Sequence, residues 1–391
     1  MTALEIALWL SLGLIAYTHV GYPLLLRLLV GVRRGRANGK AADEAPGARH
    51  DNAAIPAVSL IVAAHDEHDV IAAKLDDALG QRYRGELEVI VASDGSRDGT
   101  VELVAARART DPRLRVLDLP RVGKVKAQDA AVDVAAGDVL AFSDANAIWE
   151  ADALERLVAR FDDPRVGYVC GALRYLQARG SNQEGAYWRY EAGVRSMESE
   201  LRSVTAGNGA IYAVRRDAYL RLDPRTSHDL SFPFNLVKRG WRAVYEPGAV
   251  ARERPVPSIE GEFKRKRRMM SHAWPAVVGG GMLDPRGYGF LYALQIYSHR
   301  ALRYATPLLH VVALGSNLAL LGAGSVYVAT LAVQLALLAG AALGALTRGR
   351  VRAFALPYYY LLVTASLAAG LWDWLTRGTS ATWERAEGRN Q

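Results

Sequence analysis

The two ends of this chain are apolar and its middle is not. Residues 6–26, IALWLSLGLIAYTHVGYPLLL, hold no Asp, Glu, Lys or Arg, and a helix of that length crosses about 30 Å of hydrocarbon. The run is expected to be a span and not a cleaved leader, because no basic segment precedes it, it is too long, and no small-x-small cleavage site follows. Residues 304–347 carry no formal charge apart from His310, enough for two spans of roughly 20 residues hinged at Gly322–Ser325. Residues 353–372 make a third, after the basic link RGRVR. The pattern predicts an amino-terminal membrane helix in 1–32, three spans in 304–374 and a tail over 375–391.

Charge follows the same segregation. The sequence is 51% hydrophobic, yet it carries 48 basic and 40 acidic residues, a net charge of +8. Basic residues cluster at Arg33, Arg34, Arg36 and Lys40, at Arg300 and Arg303, and at Arg348, Arg350 and Arg352. All three clusters face the cytoplasm if the amino terminus is outside. The expectation is a multi-pass protein of the plasma (inner) membrane with a cytoplasmic central domain and both termini outside. The positive charge is then topological, and no nucleic-acid partner is needed to explain it. A single cysteine, Cys170 in VGYVCGAL, excludes an intramolecular disulfide and a multi-cysteine zinc site and reads as a buried inert thiol. Residues 33–55, rich in Gly, Ala, Asp and Arg without periodicity, read as a linker.

From residue 56 to 300 short apolar runs alternate with helical patterns. AVSLIVAAH, LEVIVASDG, LRVLDLP and DVLAFSDAN read as strands, with helices starting near Asp69, Asp98 and Lys124. This is βαβ organisation, an α/β fold with a mostly parallel, doubly wound sheet whose ligands lie beyond the carboxyl ends of the strands. Acids gather there: Asp66 with Glu67, Asp94, and Asp144. One acid at a strand end is commonly a helix N-cap. Three at one edge point to a divalent cation, Mg²⁺ or Mn²⁺, bound together with a phosphorylated ligand. No Walker loop and no GxGxxG opens the first helix, so neither a P-loop enzyme nor a dinucleotide dehydrogenase is indicated.

The stretches VSLIVAAHDE, VIVASDGSRDGT, GKVKAQDAAVDVAAGDVLAFSDAN, GNGAIYAVRRDAY, HDLSFPFNLVKRGWRAVYEPGAVARE and EFKRKRRM together resemble the GT-A domain of family 2 glycosyltransferases. The likeness is to the membrane-embedded branch of chitin-oligosaccharide, hyaluronan and cellulose synthases. It covers about residues 56–274 and continues weakly into SHRALRY. The resemblance implies a GT-A domain with a doubly wound mixed sheet over 56–283, then an interfacial helix region over 284–303.

It also implies roles. Asp66, Glu67 and Asp94 would grip the base and ribose, and Lys124, after Gly123, would lie near the nucleotide. Asp144 matches the first acid of the DxD metal motif, but the third position is Asn146, so the second carboxylate is missing and an amide oxygen takes its place as a metal ligand. Asp229 falls where the family has its general base, and the residue can also cap the helix over 230–238. FKRKRRMM replaces the family's QxxRW, with Arg265 and Arg268 on one helical face toward the diphosphate and Met269 in place of the Trp. Lys264, Lys266 and Arg267 suit a basic helix on a membrane surface, in contact with lipid. Asn208, Gly209 and Trp274 would line the donor and acceptor pocket. Tyr187, Trp188 and Tyr190 fit an acceptor groove or, more ordinarily, packing anchors. His65, His68, His228 and His272 show no metal-ligand spacing and are left unassigned.

The function expected from this is a membrane-bound, cation-dependent, inverting glycosyltransferase of polysaccharide or exopolysaccharide synthesis. Its donor would be a nucleotide sugar, UDP-linked, and its acceptor a growing glycan or lipid-linked saccharide. One alternative is a single transfer to polyprenyl phosphate. Another is an inactive nucleotide-sugar sensor or export scaffold, which Asn146 and Met269 allow and which Asp144 and Asp229 oppose. Four spans are few for a polymer channel, so export would call for a homo-oligomer or a partner.

Overall fold

The computed structural model describes residues 1–41, 55–176, 183–256, 258–347 and 351–380. Its strands are β1 Val58–Ala64, β2 Leu87–Asp94, β3 Leu114–Leu119, β4 Val139–Asp144, β5 Ile148–Trp149, β6 Val166–Tyr175, β7 Ile211–Arg215 and β8 Arg242–Glu253. They form an eight-stranded sheet in the order β3-β2-β1-β4-β7-β6-β8-β5. The first four are the strands read from the sequence, and they pair in parallel. All seven residues of β1 are buried, as a parallel strand covered on both faces requires. Leu60, Val62, Val89 and Val91 pack on Ile71, Leu75 and Val104 of the helices His68–Leu79 and Thr100–Ala108. Ile61, Ile90 and Ala92 turn to Ala127 and Ala131 of the helix Lys124–Val134 on the other face.

The second half of the sheet is mixed. β7 runs antiparallel to both β4 and β6, and β5 antiparallel to β8, while β6 and β8 are parallel. Because β7 opposes β4, with Ser143 opposite Ile211, the chain entering β7 passes over the carboxyl end of β4. Register aligns the other ends with it, since Ala63 pairs with Asp144 and Ala64 with Ser93. Cys170 is buried in β6, and burial pushes its thiol up to about 11, so it is inert at neutral pH.

Among the described residues three helical stretches are long and apolar enough to cross a membrane: Ala3–Arg36, Ser325–Leu346 and Arg352–Arg377. The helix Leu302–Ala319, expected as a further span, is shorter and carries Arg303, His310 and Asn317. It continues without a break from Phe290–Gln295 through a π-helical segment, Ile296–Ala301. It packs on Ala3–Ala16, where Leu8, Ala313, Leu320 and Tyr327 share a cluster. Asn317, fully buried, accepts from Thr330 (2.9 Å) and Gln334 (2.7 Å), so its amide is satisfied inside the helix bundle.

The membrane helices grip the sheet domain at identifiable points. The helix Tyr22–Ala41 runs on past Arg33, where the linker was expected to begin, because Arg33 donates to the Leu201 carbonyl (2.7 Å) and Arg34 is bidentate to Glu200 (2.7 and 2.6 Å). The helix Ile259–Val278 lies against Arg352–Arg377: Arg267 is bidentate to Asp373, Trp274 Nε1 donates to the Leu367 carbonyl (3.0 Å), and a Cβ at Gly370 would come within 2.5 Å of Met270 Cβ. Lys266 and Arg267 are thus engaged in ion pairs. Each has an acid within reach, Glu262 (3.2 Å) and Asp373 (2.5 Å).

Candidate active site

The strand-end acids form a row, and Asp66 and Asp94 are held by backbone N–H groups. Asp66 follows β1 in the left-handed region (φ +52°), which Asp tolerates better than most residues, and this turn lets its Oδ1 accept the Arg97 N–H at 2.8 Å. The amide of Glu67, largely buried, donates to Thr100 Oγ1. Asp94 is 1% exposed; its Oδ1 accepts the N–H groups of Val122 (2.6 Å) and Gly123 (2.9 Å), and its buried Oδ2 has no partner among the described residues. Asp94 thus shapes the turn that launches Lys124, a turn with Gly123 at φ +94°. Lys124 Nζ pairs with Asp144 at the end of β4. His65 joins the first two strand ends through Nδ1 and the Asp94 carbonyl (2.7 Å).

Asp229 reaches the same place from the other half of the sheet. It is the second residue of the helix His228–Lys238, and Pro233 stands four residues later. Proline has no N–H, so the Asp229 carbonyl lacks its helical donor. The N–H of Gly207 takes that carbonyl at 2.6 Å and draws the loop before β7 against the helix. Gly207 is required there, since a Cβ would fall 1.8 Å from Tyr168 Oη. Asn208 Oδ1 accepts the Ala210 N–H (3.1 Å), closing the turn, while its buried Nδ2 has no partner among the described residues. At Gly209 a Cβ would lie 3.9 Å from Lys124 Nζ and 4.0 Å from Asp229 Cγ.

Lys124, Gly209 and Asp229 open on one cavity, lined also by Val125, Gln128, Tyr212, Pro224, Thr226, Ser227, His228 and His272. His228 is buried with Nδ1 2.8 Å from Tyr212 Oη, and burial, then the Lys124 charge, lowers it to about 3, so the ring is neutral. Among the described residues no group of three or more His, Cys, Asp or Glu stands ready for a metal ion. The Asp144 carboxylate, paired with the cavity residue Lys124, is an oxygen donor of the kind that Mg²⁺ or Mn²⁺ takes when phosphate oxygens complete the shell. The Lys124 ammonium on Asp144 marks where positive charge is favoured.

Comparison with known proteins fits this geometry. The family model described as "Glycosyl transferase family 2" matches residues 59–242. The chain is similar to an N-acetylglucosaminyltransferase of Bradyrhizobium diazoefficiens, 30% identical over 219 residues that cover 50% of this chain and 44% of that protein. It is 37% identical over 125 residues to an N-acetylglucosaminyltransferase of Bradyrhizobium elkanii, covering 30% of this chain and 67% of that protein. The chain belongs to glycosyl transferase family 2. It spans about half the length of most curated family members it matches. Among solved structures it shares the fold of the mannosyltransferase PcManGT from Pyrobaculum calidifontis in complex with GDP-Man and Mn²⁺, with a TM-score of 0.67, 24% identity, and 95% of this chain and 99% of that chain covered. The mixed sheet is the GT-A sheet of this family.

This family 2 member brings Lys124, Asp144, Gly209 and Asp229 together and sets other expected residues apart. Arg265 is mostly buried and bidentate to Glu262 (2.8 and 2.9 Å), so its guanidinium already serves an internal pair. Arg268 is half-buried, and its carbonyl meets His272 Nδ1 (2.9 Å) one turn on, where His272 enters the cavity. Met269 is exposed. Trp274 stacks edge-on against Tyr304 (5.1 Å) at the junction with the membrane helices. Tyr190 donates to the His19 carbonyl (3.0 Å) as a packing anchor, and the side chains of Tyr187 and Trp188 lie outside the described residues. Sequence reading missed Gln128, Tyr212, His228 and His272 as cavity residues. It also missed Lys74, whose signal was available: a lysine on the Ile71, Leu75, Ala78 stripe of an amphipathic helix.

Proposed function

We propose that this chain is a membrane-associated, inverting glycosyltransferase that moves a sugar from a nucleotide donor, UDP-linked, to a glycan or lipid-linked acceptor at the cytoplasmic face of a cell membrane. The single observation that carries the reading is the convergence of Lys124 and Asp229 on Gly209, 3.9 and 4.0 Å from where its Cβ would be. A cation and a carboxylate facing each other across a glycine gap is the arrangement that displacement at an anomeric carbon needs. The acceptor hydroxyl oxygen attacks that carbon, the bond to the diphosphate oxygen breaks, and the hydroxyl proton passes to the Asp229 carboxylate. Lys124 offsets the negative charge that grows on the leaving diphosphate, and Arg268, one turn before the cavity residue His272 on the helix Ile259–Val278, would add to it. Asp144 and Asn146 would hold a divalent cation, which supplies further positive charge to that leaving group. Asp94, with its unpartnered buried Oδ2, and Asp66 with Glu67 would bind the base and ribose. The names of the rhizobial relatives favour an N-acetylglucosaminyl donor.

The test is direct. Purified protein with Mn²⁺ is incubated with a panel of nucleotide sugars, including UDP-N-acetylglucosamine and GDP-mannose, and released nucleoside diphosphate is measured. Release from UDP-N-acetylglucosamine above that from the other donors is the expected result, and release from no donor overturns the reading.

A further inference from the structure

We propose that His228, the residue before Asp229, binds the donor sugar, presenting its Nε2–H as a fixed hydrogen-bond donor to a neutral oxygen of that sugar. The inference rests on the transferase reading above and adds a residue to which that reading gives no role.

The imidazole is 4% exposed and held edge-on by Phe232 (4.7 Å between ring centres), Phe142 (6.0 Å) and Tyr219 (6.2 Å), so packing fixes its orientation. Its Nδ1 lies 2.8 Å from Tyr212 Oη. Gln128 Nε2 donates to that same hydroxyl at 3.5 Å and so occupies one of its acceptor positions. The hydroxyl proton of a buried tyrosine needs an acceptor of its own, and Nδ1 is the one in reach. A neutral histidine that accepts at Nδ1 carries its proton on Nε2. That Nε2 is buried without a partner among the described residues, and His228 lines the cavity shared with Lys124, Gly209 and Asp229.

Buried donors without an acceptor are rare in folded proteins. A ligand oxygen in the cavity would complete this one. Its identity follows from position: Lys124 and Asp144 mark the diphosphate end and Asp229 the acceptor side, so the group between them is the sugar. A neutral ring suits a hydroxyl or acetamido oxygen and adds no charge to compete with Lys124 for phosphate. Gln128 and Tyr212 act as positioning residues, because they set the tautomer.

The test uses the full chain in detergent with Mn²⁺, titrated calorimetrically with UDP-N-acetylglucosamine and UDP, and with GDP-mannose and GDP. His228→Phe fills the aromatic slot and removes the N–H. It is expected to weaken the sugar nucleotide by about tenfold, the scale of one hydrogen bond to a buried group, while the matching nucleoside diphosphate binds as before. His228→Gln, which retains an N–H, should recover part of the loss. Equal affinity of wild type and His228→Phe for the sugar nucleotide overturns the proposal. If His228→Phe does not fold, Tyr212→Phe carries the test, with a loss of about threefold confined to the sugar nucleotide supporting it and no loss overturning it. A wild-type chain that binds none of the four compounds overturns the transferase reading itself, an outcome distinct from normal wild-type binding with insensitive variants.

Discussion

Lys74 Nζ, wholly buried, donates to the Ala147 carbonyl at 2.7 Å and so ties the segment that follows Asp144 and Asn146 to the helix His68–Leu79. The same ammonium pairs with Asp77 (2.7 Å), which accepts the Trp149 N–H (3.1 Å). Lys74→Met should cost about 3–5 kcal/mol, because it leaves Asp77 as a buried charge without its cation. Thermal unfolding reads that loss. The loosened Asp144–Asn146 segment should also bind Mn²⁺ more weakly, as measured by the paramagnetic resonance of the free ion; unchanged Mn²⁺ affinity would show that Lys74 serves stability alone.

Asp229→Asn keeps the backbone carbonyl that receives Gly207, so the loop and the nucleotide site should survive. Loss of a general base costs roughly 10²- to 10⁴-fold in rate, about 3–5 kcal/mol of barrier. Steady-state turnover should fall by that factor while calorimetric UDP affinity holds near the wild-type value.

The two loop glycines should separate fold from function. A methyl at Gly207 meets Tyr168 Oη at 1.8 Å, so Gly207→Ala is expected to destabilise by about 1–3 kcal/mol through overpacking. At Gly209 the nearest atoms are 3.9 Å away, ordinary contact, so Gly209→Ala should unfold like the wild type yet lose donor affinity by filling the gap between Lys124 and Asp229. Melting curves beside donor titrations of both variants give the comparison.

Glu198, fully buried, is the knot between domain and membrane helices. It accepts from Tyr22 Oη (2.7 Å) and Thr205 Oγ1 (3.0 Å) and faces His299 Nδ1 (2.8 Å). Burial pushes its carboxyl up, but His299, Arg300 and Tyr22 outweigh this and hold it below the ordinary 4.5. A depressed folded value means the stabilisation is complete above pH 4.5 and is lost as pH falls through the folded value. The melting temperature of the wild type should carry this acid limb only below pH 4.5. Glu198→Gln should lower the neutral-pH melting temperature and flatten that limb.

Thr379 Oγ1 donates to the Ser271 carbonyl at 2.8 Å, which sets the chain after the last helix beside the domain that carries Asp229. The tail was expected outside, opposite the catalytic domain. With the contact in place, a cysteine substituted at Thr379 in intact cells should resist an impermeant maleimide and react after permeabilisation; labelling of intact cells would restore the outside assignment.

The four parallel strands and their terminal acids were legible in the sequence, because strands buried on both faces must be continuous apolar runs and the acids that end them are local in the chain. The apolar ends were legible for the same reason: composition alone decides which helices suit hydrocarbon. The meeting of Lys124 with Asp229 was not. It depends on β7 entering antiparallel beside β4 and on Pro233 releasing a carbonyl for Gly207, contacts between segments far apart in the chain. Nor did the sequence reveal that Arg267 pairs with Asp373, 106 residues away, or that Tyr212 Oη lies 2.8 Å from His228 Nδ1. Periodicity reports which face of an element is apolar, but the partner of a buried charge or donor is decided only when distant elements pack and leave one acceptor within reach.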